Sequence, residues 1–282
     1  MFRSLARGSR VLCLALLVLA CARHAQAAPI TFEAAGNAAG IQGTVDAFRA
    51  ALGVLNPNTG AAFAGGRREI NWDGVPDVSA DPSTLAGVFF NSTTVAGRAR
   101  GAQVATPGTG FLVSANAGLA TPVLFGFPND FSTFSAQRLF TAVNSNITDV
   151  TFFVPGTTTA AFVSGFGAVF TDVEVSGLTR IDFYNTAGAL LFGRNVLVSG
   201  NAGLSFLGVQ FNAGEQVGRV RITSGLNTIS SNGVLGNPND DVVVMDDFIY
   251  AEPQAQRVPE PATMLLLALG AVAVGARRHA RG

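Results

Sequence analysis

Seventeen carboxylates and ten guanidiniums carry most of the chemistry that the stretch from Ala28 to Gln256 can perform. That stretch holds no Cys, His or Lys, and all 18 basic residues of the 282-residue chain are Arg. This excludes a Ser-His-Asp triad, a Cys-His pair, a Schiff-base Lys and a His-rich zinc site. Acid–base chemistry by paired carboxylates and cation binding by oxygen ligands remain. The excess of 17 acids over 10 Arg leaves the stretch at −7, which argues against a nucleic-acid surface. No residue is singled out as catalytic.

Three acids make the best candidate constellation. The stretch opens on "ITFEAAGN", 30–37, with Glu33, and closes on "VVVMDDFIYAEP", 242–253, with Asp246 and Asp247. Both read as strands. If first and last strands are neighbours, Glu33 meets one of the aspartates, and like carboxylates in contact call for a cation between them. The expectation is a structural calcium held by Glu33, Asp246 and Asp247; otherwise these acids are solvated strand ends. The end-to-end pattern is similar to MAM-type and several carbohydrate-binding jelly rolls, and that resemblance implies the same metal corner. The chain lacks the MAM cysteines. "GNPNDDVVV" adds Asp240 and Asp241 as a weaker acidic loop beside the last strand.

A second cluster is "GRREINWDGVPD", 66–77, which contains the only Trp of the chain. Two readings are open. Asn71, Trp72 and Asp73 form a ligand platform, an aromatic face for a sugar ring with polar edges for hydroxyls. Alternatively Trp72 plugs the core and Asp73-Gly74 makes a turn. The stretch resembles one in exported bacterial proteins, a resemblance that implies no activity.

The elements that must position these residues are mostly strands. "DVTFFV" (149–154), "AAFVSGFGAVF" (160–170), "RIDFYN" (180–185), "ALLFGRNVLV" (189–198), "LSFLGVQF" (204–211), "VGRVRIT" (217–223) and "VVVMDDFIY" (242–250) are rich in Val, Phe, Ile and Thr. Turn formers separate them, and no βαβ rhythm appears. The expected fold is mainly all-β, an antiparallel β-sandwich or jelly roll with one short N-terminal helix. That helix is predicted in "TVDAFRAALGVLNP", with Val45, Phe48, Leu52 and Leu55 on one face, Thr44 as N-cap and Pro57 after the stop.

The flanks say where the domain goes. "MFRSLARGSR" followed by "VLCLALLVLA" and "AQA" has the form of a signal peptide, 1–27, cleaved after Ala27. Cys13, Cys21 and His24 would leave with it. A lipoprotein signal with Cys21 lipidated is the rival reading. The domain is placed at 28–253 and a tail at 254–282. In the tail, Pro259 and Pro261 hold an extended spacer, 258–261. The uncharged run 262–276 is slightly short of the ~20 residues that span a bilayer, and Arg277, Arg278 and Arg281 follow it as a positive-inside anchor.

Val-Pro-Glu-Pro, then a short apolar helix, then an Arg cluster: in this order the tail resembles the PEP-CTERM sorting signal. The resemblance implies recognition by an exosortase, with Pro259, Glu260 and Pro261 as the recognised residues. It also implies C-terminal membrane anchoring before processing, and export to the cell surface or an exopolysaccharide-rich biofilm matrix.

Three function classes follow. The first is a non-enzymatic surface or matrix protein that binds exopolysaccharide or simply builds structure. The second is a carboxylate-based glycoside hydrolase or lyase, for which one Trp and two Tyr are few to line a groove. The third is an adhesin that binds protein through an open sheet face.

Overall fold

The computed structural model describes residues 28–115, 124–229 and 240–256. The signal segment 1–27, the sorting residues Pro259, Glu260 and Pro261, the apolar run 262–276 and the basic tip 277–282 lie outside them.

Fourteen strands and one α-helix form among the described residues. The strands are β1 (Ile30–Gly36), β2 (Arg67–Ile70), β3 (Ala102–Ala105), β4 (Gly110–Val113), β5 (Phe140–Val143), β6 (Ile147–Phe152), β7 (Ala161–Phe162), β8 (Gly165–Thr171), β9 (Arg180–Asn185), β10 (Leu190–Asn195), β11 (Leu204–Gln210), β12 (Val217–Thr223), β13 (Val244–Ala251) and β14 (Gln254–Ala255). The helix α1 runs Ala38–Leu52. One sheet has the order β1-β11-β8-β13-β5-β4, with β2 also paired to β13; a second has the order β10-β9-β12-β6-β3; β14 and β7 form a small ribbon. All these strand pairings are antiparallel, and neither large sheet closes on itself.

The two large sheets share one apolar core. Phe152 of β6 meets Phe166 of β8 at 6.3 Å and Tyr250 of β13 at 5.7 Å between ring centroids. On its other face the first sheet carries α1, whose Phe48 sits between Phe32 of β1 (5.3 Å) and Phe206 of β11 (5.6 Å). Glycines make that seat: a Cβ on Gly208 would lie 2.9 Å from Phe48, and one on Gly167 would lie 2.8 Å from the Gly208 backbone.

The helix begins six residues before the predicted Thr44 cap. Asn37 is the cap, its side chain accepting from Gly40 N at 2.8 Å. Gly40 and Gly43 hide this first turn from a propensity reading. Ile41, Val45, Phe48 and Leu52 form the buried face, and Gly53 ends the helix at φ 99, so Leu55 falls outside it and is 54% exposed.

The expected pairing of the terminal strands does not occur. β11 and β8 stand between β1 and β13. At roughly 4.8 Å per strand, three steps separate β1 from β13 by about 14 Å.

Candidate functional site

β13 carries an irregularity at its centre. Met245 pairs with Phe170 and Phe248 with Ala168, so Asp246 and Asp247 together oppose the single residue Val169. Such a bulge re-aims side chains that strict alternation would send to opposite faces. Both carboxyls consequently reach one hydroxyl: Ser135 Oγ lies 3.1 Å from Asp246 Oδ1 and 2.7 Å from Asp247 Oδ1. Phe134 N donates to Asp246 Oδ2 at 2.6 Å. Arg49 of α1 donates to Asp247 Oδ2 at 3.3 Å and forks onto Glu69 of β2 at 3.0 and 2.9 Å. Arg67 adds a 2.6 Å bond to Glu69.

The loop after β2 closes the site from the other side. β2 pairs with the end of β13, and Asn71–Asp73 then crosses toward β5. Trp72 takes a left-handed backbone conformation (φ 63) and its Nε1 donates to the Asp246 carbonyl oxygen at 2.7 Å. Its ring stacks on Phe140 at 3.9 Å with 1° between planes, and meets Phe248 edge-on at 5.1 Å. Asp73 Oδ1 accepts from Arg138 N at 3.1 Å and its Oδ2 accepts from Asn71 Nδ2 at 3.1 Å.

Burial decides the protonation of this cluster. Asp246 is 0% and Asp247 2% exposed. Burial, reinforced by the neighbouring Asp247 charge, pushes the Asp246 carboxyl well above its ordinary value of 3.8. Asp247 is raised too, by burial first, but the Arg49 guanidinium works against the rise. The two titrate as a pair, and a proton between them relieves the repulsion, since two adjacent buried carboxylates cannot both ionise cheaply. Asp73 is raised by burial and by Asp247. Chemically this is a buried acid–carboxylate pair with a hydroxyl between its members. It is sealed from any substrate as the chain is folded here.

Five of the six residues expected to bind a ligand or a metal thus converge: Asn71, Trp72, Asp73, Asp246 and Asp247. Trp72 is 1% exposed and serves as a core plug, with no face free for a sugar ring. Glu33 is elsewhere. It lies in one register row with Leu207, Ala168 and Phe248, and its carboxylate takes a two-pronged grip from Arg194 of β10, at 2.9 and 2.6 Å. That pair ties the edge of one sheet to the edge of the other. An ion shared by Glu33 and either aspartate would have to bridge three strand spacings, far beyond ligand distances of 2.3–2.6 Å. Among the described residues no group of three or more His, Cys, Asp or Glu side chains stands together to hold a metal ion. Ser135 and Arg49 were not anticipated. The doublet Asp246-Asp247 inside an apolar strand was the one sequence signal for a bulge and for donors to satisfy it.

A separate open groove of ≈470 Å³ lies between the 86–98 segment and the 157–158 turn. Hydroxyls and amides of Asn91, Thr93, Thr94 and Gln103 share its lining with a larger apolar surface that includes Val88 and Phe89, and Arg98 stacks over Phe89 at 4.1 Å.

The class defined so far is an antiparallel β-rich domain whose last described residue, Gln256, leads directly into the tail. Residues 257–279 match the family described as PEP-CTERM protein-sorting motif, so the chain carries this sorting motif behind a β-rich domain. The motif marks an exported protein and implies an exosortase as its processing partner. No curated protein and no solved structure matches the chain. Among the described residues no helix is long and apolar enough to cross a membrane.

Proposed function

We propose that the protein is a non-enzymatic component of the cell surface or extracellular matrix, delivered there by exosortase processing of its tail. The observation that carries this reading is the sorting motif at 257–279, joined without a spacer domain to the β-rich body. The two sheets are read as the layers of a jelly-roll-like β-sandwich, preceded in the precursor by a signal peptide and followed by a membrane helix. Export leaves the body to act outside the cytoplasm, where a domain without cysteine has no disulfide and depends on its non-covalent contacts. Exopolysaccharide is the partner this reading gives the groove, whose hydroxyls and amides suit sugar hydroxyls, whose apolar patch suits a sugar-ring face, and whose lining contains no carboxylate. On this reading no turnover is expected, and the burial of the Asp246–Asp247 pair supports it.

The test is in cells that contain the exosortase. With Pro259, Glu260 and Pro261 all changed to Ala, the expected outcome is a precursor that inserts in the membrane and stays there unprocessed. Normal processing of that variant would reduce the tail to a plain anchor and overturn the sorting role.

A further inference from the structure

A second acidic corner lies at the end of β8, away from the bulge. Asp172 follows Thr171 with a left-handed backbone (φ 71), and its Oδ1 accepts from Ala202 N at 3.0 Å. Asp241, three residues ahead of β13, is 0% exposed. Its Oδ1 accepts from Glu174 N at 3.0 Å, which turns the carboxyl toward the 172–174 segment. Its Oδ2 is buried and has no hydrogen-bond partner. Asp130 and Glu174 add to the negative field: the charges of Glu174, Asp130 and Asp241 all act on Asp172, and those of Asp241 and Asp130 act on Glu174.

Glu33, Asp46, Glu69, Asp77, Asp149, Asp182, Asp247 and Glu252 each have an Arg in ion-pair contact. Among the described residues, Asp130, Asp172, Glu174 and Asp241 have no such Arg, and neither do Asp73, Asp81, Glu215 and Asp246; what sets this corner apart is that its acids act on one another. A buried carboxylate oxygen without a donor is costly, and like charges around it add to that cost. The chain supplies no Lys, and no Arg is in ion-pair contact with these four acids among the described residues. What this corner lacks is a positive charge small enough to sit between oxygens.

We propose that this corner is a binding site for a hard divalent cation of the calcium class, anchored by the Asp172 and Asp241 carboxylates. Because no three carboxylates stand together, backbone carbonyls and water complete the shell, as calcium's six to eight oxygen ligands allow. Asp130 and Glu174 strengthen the negative field around it. The raised Asp172 carboxyl, pushed up to about 7 by burial and then by Glu174, Asp130 and Asp241, agrees with an unmet demand for positive charge. The site also joins β8 to the segment entering β13, so binding would brace the sheet at one end. This reading is independent of the sorting role.

Isothermal titration of the purified full-length protein, stripped with EGTA, with calcium chloride and separately with magnesium chloride tests it. The expected result is one calcium site, weaker for magnesium, together with a higher melting temperature in calcium. Asp172→Asn and Asp241→Asn should each weaken calcium at least tenfold. Both should melt no lower than the original in EGTA, since each removes a repelling charge. Asp46→Asn, on the outer face of α1, should bind as the original does. Should Asp241→Asn fail to fold, the decision passes to Asp130→Asn, expected to weaken binding severalfold. Absence of binding heat and of any melting shift would overturn the site. So would calcium affinity unchanged in the variants.

Discussion

At the scale of single residues, two neighbouring aspartates inside a strand should face opposite ways, and here they do not. The bulge at Asp246-Asp247 points both carboxyls at Ser135, and the pair becomes a pH-dependent element of stability. Asp246 has a folded value raised above the ordinary 3.8. Its contribution is therefore fully present below that ordinary value and is lost as pH rises through the folded value. Urea midpoints taken from pH 5 to 9 should fall with rising pH, and Asp246→Asn, which keeps the shape without the titration, should fall less steeply. Parallel slopes in the two proteins would remove the shared proton from the account. Residue types made this cluster partly legible: Trp72, Asp73, Asp246 and Asp247 stood out by rarity and doublet. That they meet was not legible, because it requires both the bulge and the pairing of β2 with β13. Glu33 was misplaced for a related reason. Its partner Arg194 lies 161 positions away, and no local pattern announces an edge-to-edge contact.

At the scale of elements, strand content followed from composition while strand order did not. The predicted segments 180–185 and 217–223 coincide with β9 and β12, and "ITFEAAGN" holds β1. The "AAFVSGFGAVF" run splits instead, into β7 and β8 with Val163-Ser164 between them. Four-residue strands such as β2, β3, β4 and β5 are too short for alternation to declare itself. The helix tests the logic of its own seat. Phe48 rests where Gly167 and Gly208 leave room, so Gly208→Ala should force Phe48 or Phe206 aside. A cost of about 1–3 kcal/mol is expected from that overpacking. Asn37→Ala removes the one side-chain cap of α1 and should cost ~1 kcal/mol. Both are read from chemical denaturation, and a Gly208→Ala protein as stable as the original would mean that the helix is not seated there. Because α1 also delivers Arg49 to Asp247, loosening it should steepen the pH dependence that Asp246 brings.

At the scale of the whole molecule, the body must hold its shape up to the point where the sorting tail departs. The last long strand, β13, ends at Ala251, and Glu252 beyond it is clamped from the opposite end of the chain. Arg68 forks onto the Glu252 carboxylate and spends its remaining donors on the carbonyls of Pro57 (2.8 Å) and Ala61 (2.6 Å). Asn56 Nδ2 adds a 2.8 Å bond to the same carboxylate, and Phe63 N another at 3.2 Å. β14 then pairs with β7, and Gln254 Nε2 donates to Phe63 O at 2.9 Å, so the chain is held to within a few residues of position 257. Arg68 and Glu252 are both fully buried, which makes the clamp strong only while it is complete. A buried ion pair gains little over a well-packed apolar pair, whereas removal of one partner leaves a buried charge and costs about 3–5 kcal/mol. Glu252→Gln keeps the hydrogen-bonding shape and abandons Arg68 as an uncompensated cation, so a large fall in the urea midpoint is expected. Limited proteolysis should then cut near 253–256 first, since the β14–β7 ribbon loses its neighbour. The double change Arg68→Met with Glu252→Leu should recover most of the loss in midpoint. If Glu252→Gln is as stable as the original and its tail junction equally resistant, the clamp does not secure the exit of the tail.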